Sequence, residues 1–216
     1  MGSILMGLAS TWANESHRWE FLKRLITYGY RCYVPSPAMR ALDRLTASVP
    51  RFVVTCNCNG RFERAGFSSD GILETEGSYA RLCCSAGCSD ETYDALAFFG
   101  ASDVPRCPRC GAALDVAVDD TGRISRLEPF HSQEANLRAF LARHADERVC
   151  VLELGVGQRN QAIKAPLMAW AESAPLASYV VLNREDPILP SLSSERVASA
   201  CGDLGEALVA LAEGAR

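Results

Sequence analysis

Histidine is scarce in this sequence. Among 216 residues only His17, His131 and His144 occur, and their neighbours suit helix surfaces and caps better than a reactive site. Proton transfer must therefore be sought in other side chains. Long apolar runs are missing too, since none approaches the length of about 20 residues that a bilayer-spanning helix needs. The short apolar piece from Ile4 to Ala9 has no basic residue before it, which is not the pattern of a secretory leader. Positive charge is not in excess either. A net charge of −4 and an isoelectric point near 5.5 give no general basic footprint for nucleic acid. The pairs Arg61, Arg64 and Arg106, Arg109 read as solvated charges around a loop and a cysteine knuckle. Repeats and low-complexity tracts are absent, and neither a nucleic acid nor a membrane is expected as a partner.

What the chain has in quantity is cysteine. Ten cysteines without a secretory leader point to a reducing compartment and metal ligation rather than a disulfide framework, hence to a cytoplasmic protein. Four of them stand in a metal-binding pattern: Cys84-Ser-Ala-Gly-Cys88, then Pro105-Arg-Cys107-Pro-Arg-Cys110-Gly111. Thiolates two or three residues apart can turn toward one ion, and two such pairs supply the four soft ligands of a tetrahedral zinc site. The glycine after the second pair lets the backbone fold back toward the sulfurs. A closed four-sulfur site leaves no open coordination position, so the zinc is expected to be structural. Cys83 is the rival for the place of Cys84.

The hydrophobic content of 48% supplies a core for one domain, or a main domain with a small insert. Taken in order, Ile4-Leu5-Met6 is a strand candidate. Trp19, Leu22, Leu25 and Ile26 recur at helical spacing after Asn14, and that helix is expected to end near Tyr28-Gly29. A short helix follows through Met39, Leu42 and Leu45. Arg51-Phe-Val-Val-Thr55 reads as a strand inside a parallel sheet, running into the small polar cluster Cys56-Asn57-Cys58-Asn59-Gly60. Ligands bind at such strand ends in open α/β sheets. Residues 61–66 read as a turn or two of helix, and Ile72 to Glu76 as a short strand. Asp119-Asp120-Thr121-Gly122 is a turn signal. Beyond it come a helix through Leu137, Phe140 and Leu141, a strand Arg148–Leu154 ending at Gly155-Val156-Gly157, a helix over 163–172, a strand Tyr179–Asn183 and a last helix from Asp203. Strands alternating with helices predict an α/β fold: a Rossmann-like parallel sheet with helices on both faces and an inserted small zinc-ribbon module. The expected division is residues 1–76 and 129–216 for the first and 77–128 for the second.

These residues together resemble the sirtuin family. Thr55-Cys-Asn57-Cys-Asn59-Gly60 with Glu63-Arg-Ala-Gly66 is similar to the family's Thr-Gln-Asn-Ile-Asp-Gly…Glu-Arg-Ala-Gly, and Glu74-Thr-Glu76-Gly-Ser78 stands where the family has Glu-Leu-His-Gly-Ser. Gly155-Val-Gly157 corresponds to the Gly-Thr-Ser turn and Leu182-Asn183 to Ile-Asn. The Gly-Val-Gly form, the Cys84–Cys88 spacing and Thr92-Tyr93-Asp94 look most like the macrodomain-linked, or class M, branch. The resemblance implies an NAD site, with Asn57 facing the nicotinamide ribose and Thr55, Asn59, Gly155, Gly157, Asn183 and Asp203 around the rest of the dinucleotide. It implies nicotinamide release with transfer of ADP-ribose, either in protein deacylation or, as in class M, onto a protein acceptor such as a lipoylated carrier protein.

Three departures from the family pattern bear on activity. Glu76 replaces the family histidine, and reads either as a catalytic base or as a solvated loop carboxylate. Asn59 replaces an aspartate. The Gly-Ala-Gly-x-Ser turn is not present, and its best substitute, Ile4 to Ser10, has one glycine. A truncated reading frame, a degenerate family member, or a chain completed by a partner would account for that. Cys56 and Cys58 flank Asn57 and admit a thiol reading, although no lysine or histidine lies close in sequence to activate them. The expected function is an NAD-dependent ADP-ribosyltransferase or deacylase with Asn57 and Glu76 as catalytic residues. The alternative is a catalytically silent zinc-binding scaffold.

Overall fold

The computed structural model describes residues 4–100, 103–118, 122–158, 160–184 and 187–214, the side chain of Leu5 apart. The expected turn at Asp119-Asp120-Thr121 lies outside them, and Gly122 beside it has φ of +83°.

The N-terminal piece departs from expectation. Ile4–Ala9 is a short helix, α1, not a strand. Its glycine serves packing: a Cβ on Gly7 would lie 2.4 Å from the Phe21 ring. Trp12 stacks on the same ring at 5.1 Å and donates its Nε1–H to the Gly7 carbonyl. Helix α2 (Glu15–Ile26) starts where the Asn14 side chain accepts the His17 amide. It does not stop at Gly29. That glycine is not left-handed, and the chain continues as a π-helical turn over Thr27–Arg31. Helix α3 (Pro37–Thr46) follows, with Ser36 as cap and proline at its first position.

Next come β1 (Val53–Thr55), α4 (Arg61–Arg64), β2 (Ile72–Glu74), β3 (Gly77–Cys84), β4 (Thr92–Asp94) and β5 (Leu114–Val118). The chain continues with α5 (Phe130–Arg143), β6 (Cys150–Leu154), α6 (Gln161–Ser173), β7 (Ser178–Asn183), β8 (Val197–Cys201) and α7 (Leu204–Gly214). None of the helices described is long and apolar enough to cross a membrane.

The chain divides into two compact units. Unit one comprises Met1–Val34 and Val54–Ala135. Its main sheet is antiparallel in the order β4-β3-β5, with a bulge between Ser78 and Leu82. The apolar face of α2 closes over that sheet: Trp19, Leu22, Leu25 and Ile26 share one core with Leu82, Cys84, Leu114 and Val116. At about 1.5–3 kcal/mol per buried large side chain, these four α2 residues anchor the helix by roughly 6–12 kcal/mol before entropy is counted. Gly77 is obligatory at the start of β3. Its φ is +86°, and a Cβ there would sit 1.9 Å from the Ala117 carbonyl oxygen. Strand β1, expected inside a parallel sheet, pairs with β2 in a two-stranded sheet, and Val53 and Val54 remain half-exposed.

Unit two comprises Pro35–Val53 and Asn136–Arg216. It holds the parallel sheet, in the order β6-β7-β8 with the strands in register. Helices α6 and α7 contact β7, and α3 packs along α7. The core beneath α6 is built from Ala171, Ala174, Ala177, Tyr179 and Val181. Strand β8 is the element that the pattern did not announce. Val-Ala-Ser-Ala-Cys has small side chains, four of them exposed, and carries no apolar alternation.

Candidate functional site

The cysteine pairs meet at the end of β3. Cys84 closes that strand and Cys107 and Cys110 sit in the knuckle before β5, which pairs with it, so the two loops are brought together by strand pairing. The sulfurs of Cys84 and Cys110 are 3.5 Å apart, as are those of Cys88 and Cys107, and all four lie within 4.8 Å of one another. Four sulfurs at about 2.3 Å from a zinc ion would stand about 3.8 Å apart, so the cluster fits that ion. Gly87 and Gly111, both left-handed, make the two corners. Amides of Cys88 and Ala86 point at the Cys84 sulfur and bring its thiol down to about 6. The amides of Arg109 and Cys110 lower Cys107 likewise. Cys88, hydrogen-bonded among the other three sulfurs, is pushed up to about 12. A metal ion held among the four sulfurs would favour their thiolate forms. The Tyr93 and Ser89 hydroxyls are buried, with no hydrogen-bond partner among the described residues. Tyr93 is raised by burial first and then by the Cys107 sulfur, placing a donor next to a ligand-type thiolate. Cys83 faces the other way, into a core with Ala117, Ile124, Leu127 and Phe130.

The second cluster in unit one gathers around the end of β1. Thr55 is buried, and its hydroxyl accepts the Asn57 amide at 3.0 Å while its carbonyl accepts the Thr75 amide at 2.9 Å. Those bonds fix the backbone and leave the Asn57 side chain exposed, with no partner among the described residues. The Asn59 side chain is engaged: its oxygen accepts the Arg61 amide and turns the chain into α4. Glu76 is exposed, and its carbonyl accepts the Cys58 thiol at 3.4 Å, bringing β3's entry against the Asn57 loop. Burial, with Glu76, Glu74 and Cys56 adding to it, pushes Cys58 up to about 12. At neutral pH it is a packed thiol, not a nucleophile.

A residue that sequence reasoning passed over stands behind this loop. Glu74 accepts the Gly60 amide at 3.2 Å, while its own amide donates to the Gln133 side chain. Burial lifts its carboxyl to about 7, with Glu63 adding to the rise and the Ser78 hydroxyl and Gly60 amide opposing it. The local signal is its place in the Glu-Thr-Glu-Gly-Ser stretch, two residues before Glu76.

Unit two contributes a separate group at the ends of β6 and β7. Gly155, left-handed at φ +64°, donates its amide to the Leu182 carbonyl at 2.9 Å. Gly157 is exposed, and nothing lies within 4 Å of where its Cβ would stand. The Asn183 side chain donates to the Val156 carbonyl at 3.1 Å and accepts the Arg184 amide, tying the turn to β7. Asp203 caps α7 by accepting the Gly205 and Glu206 amides. Thus Gly155, Gly157, Asn183 and Asp203 form one corner of unit two, as Thr55, Asn57, Asn59 and Glu76 form one of unit one. Beneath the turn lies a buried network. Glu153 accepts from Lys164 Nζ at 2.6 Å and from the Tyr179 hydroxyl at 2.8 Å, all three residues being at most 5% exposed.

A parallel sheet with a glycine turn at a strand end, accompanied by an antiparallel four-cysteine module, defines an α/β protein of the Sir2-like class. Solved structures bear this out. A Sir2 homologue mutant bound to ADP-ribose matches with a TM-score of 0.66 at 19% identity, over 98% of this chain and 79% of that one. A Sir2 homologue–NAD complex matches with a TM-score of 0.63 at 19% identity, over 93% and 72%. No family model matches the sequence. Among curated relatives, NAD-dependent protein deacetylase 2 of Streptomyces coelicolor is 32% identical over 184 residues, 83% of this chain and 70% of the relative. The chain belongs to the sirtuin family. A protein ADP-ribosyltransferase of Staphylococcus aureus is 27% identical over 193 residues, 82% of this chain, which spans only 61% of that relative's length.

Proposed function

We propose that the chain is an NAD-dependent enzyme of the sirtuin type, in the macrodomain-linked branch, that transfers ADP-ribose to a protein acceptor. The observation that carries this reading is the loop after β1, where a buried Thr55 fixes the backbone and leaves the Asn57 amide free at the strand end. Likeness to a named protein ADP-ribosyltransferase supports it. So does Glu76, a carboxylate at the position where the deacylating branches resembled in sequence carry histidine.

NAD, when bound, would supply the ADP-ribosyl group, its nicotinamide leaving with the electron pair of the bond to the ribose as the acceptor's nucleophile bonds in its place. Asn57 is read as the amide dipole beside that ribose, where a fixed dipole stabilises developing positive charge. Glu76 takes the acceptor's proton on its carboxylate oxygen. Thr55 and Asn59 hold the loop, while Gly155, Gly157, Asn183 and Asp203 form the corner offered to the phosphates and adenosine. Cys84, Cys88, Cys107 and Cys110 are assigned to a structural zinc ion, which holds the module's loops in place. In this reading residues 1–76 and 129–216 are the nucleotide-binding part and 77–128 the zinc module. The acceptor is a lipoylated carrier protein, and the setting is the cytoplasm.

The test is nicotinamide release from NAD by zinc-loaded protein with a lipoylated carrier domain. Asn57→Ala is expected to lower it by about 100-fold or more, and Glu76→Gln to lower acceptor modification more than NAD affinity. Retention of full activity in Asn57→Ala refutes the assignment. A second reading, a catalytically silent scaffold, is favoured by one observation: Ile4–Ala9 is helical and packs Gly7 on Phe21, so it provides no glycine turn for a pyrophosphate. It predicts a folded, zinc-dependent protein with no thermal shift on adding NAD.

A further inference from the structure

Three arginines converge on one corner of unit one. Arg31 lies over the Phe99 ring at 5.3 Å, Arg61 over Tyr33 at 4.9 Å and Arg64 over Tyr30 at 5.6 Å. Two are also tethered to the π-helical turn: Arg61 donates Nε–H to the Gly29 carbonyl and Arg64 donates to the Arg31 carbonyl, each at 3.3 Å. None of the three forms an ion pair among the described residues. The carboxylates that act on Tyr30 in this corner are Glu63 and Asp94, and Asp94 stands opposite Arg81 in the β3–β4 ladder. Arg64 and Arg81 are the guanidinium groups that oppose them there. Two apolar side chains of this segment are exposed, Tyr28 in the turn at 78% and Val34, three residues beyond it, at 75%.

Arginines stacked on rings and tethered to carbonyls have already lost rotamer freedom, so a carboxylate that meets them incurs less ordering cost than it would with free side chains. Tyrosine and arginine are the residue types that anchor protein–protein contacts. A π-helical turn, which costs backbone regularity, is found mostly where function retains it.

We propose that the corner formed by Thr27–Arg31, Val34 and α4 docks an acidic segment of a protein partner. Carboxylates of the partner take the remaining N–H groups of Arg31, Arg61 and Arg64, and an apolar side chain of the partner covers Tyr28 and Val34. Charge alone would suit a nucleic acid equally. The exposed tyrosine and valine, which offer apolar surface beside the charge, favour an acidic protein segment. The inference does not depend on nucleotide binding.

The experiment uses the full, zinc-loaded chain and a fluorescent glutamate- and leucine-containing peptide, with a single-stranded oligonucleotide as the second probe. Peptide binding should be measurable by anisotropy at about 20 mM salt and weaken markedly by about 200 mM. The triple variant R31Q/R61Q/R64Q should lose about tenfold or more in affinity, and its arginine-to-lysine counterpart less. Should the triple variant not fold, R31Q alone, whose side chain makes only a ring contact among the described residues, should lose about threefold. Undetectable peptide binding, unchanged binding in the glutamine variants, or tighter arginine-dependent binding of the oligonucleotide would each overturn the proposal.

Discussion

Each unit gathers a cluster of ionisable groups, fully buried in unit two and with two of its four cysteines exposed in unit one, and the clusters solve the same electrostatic problem in opposite ways. In unit two the carboxylate of Glu153 has its cation inside the chain, Lys164, and a second donor in Tyr179. In unit one the four sulfurs lie within 4.8 Å of one another, and among the described residues no Lys or Arg side chain is hydrogen-bonded to them. A chain that encodes its counter-ion folds that region unaided, whereas one that encodes only ligands makes folding conditional on a metal.

Chelation should break the comparison most strongly. Structural zinc sites contribute on the order of 10 kcal/mol, so a zinc chelator should abolish hydrogen-exchange protection in β3, β5 and α2 while β6 and β7 stay protected. Equal loss in both units would refute the contrast. Next in size is Lys164→Met, which leaves the Glu153 carboxylate buried without its cation and should cost about 3–5 kcal/mol in denaturant unfolding. Replacing all three members by apolar residues of similar volume should recover most of that loss, because a buried ion pair contributes little net stability over a well-packed apolar core.

Glu74 provides a smaller effect in unit one. Its folded pKa, about 7, lies above the ordinary value of 4.5. The folded state thus holds a proton that the unfolded chain releases between those values. The stability from this group is complete below about pH 4.5 and disappears as pH rises through about 7, a difference on the order of 3 kcal/mol. Glu74→Gln should flatten that fall in the melting temperature of zinc-loaded protein, and an unchanged slope would show the carboxyl to be ordinary. The smallest effect separates the two strand-end asparagines. Asn183→Ala removes a hydrogen bond to the Val156 carbonyl and should cost about 1 kcal/mol, while Asn57→Ala should leave stability within about 0.5 kcal/mol of the parent. Reversed stabilities would mean that the side-chain roles had been exchanged.

How much was legible follows from the range of the forces involved. The cysteine pairs are visible in the sequence because each pair is local, and β3–β5 pairing needs only to bring two loops together. The strand-end clusters around Asn57 and Gly155 were readable for the same reason, each lying on one short stretch. The Glu153, Lys164 and Tyr179 network was not, since its members are separated by 11 and 26 residues and each alone looks ordinary. Ile4-Leu5-Met6 was misread because three apolar residues before a glycine suit a strand and a helix equally, and the choice was made by Phe21 and Trp12. Strand β8 escaped because Ala198, Ser199, Ala200 and Cys201 are exposed and small, so its pairing with β7 rests on backbone hydrogen bonds without an apolar pattern.

Gly60 opens the way from the Asn57 loop into α4 with φ of +60°, and the Tyr30 ring occupies the space where its side chain would be, 2.8 Å from the would-be Cβ. Ring and main chain are in direct touch, with no deformable side chain between them as a cushion. Any push on the aromatic corner must then be absorbed by the peptide units that carry Asn57, and an alanine at this position would jam that linkage rather than loosen it.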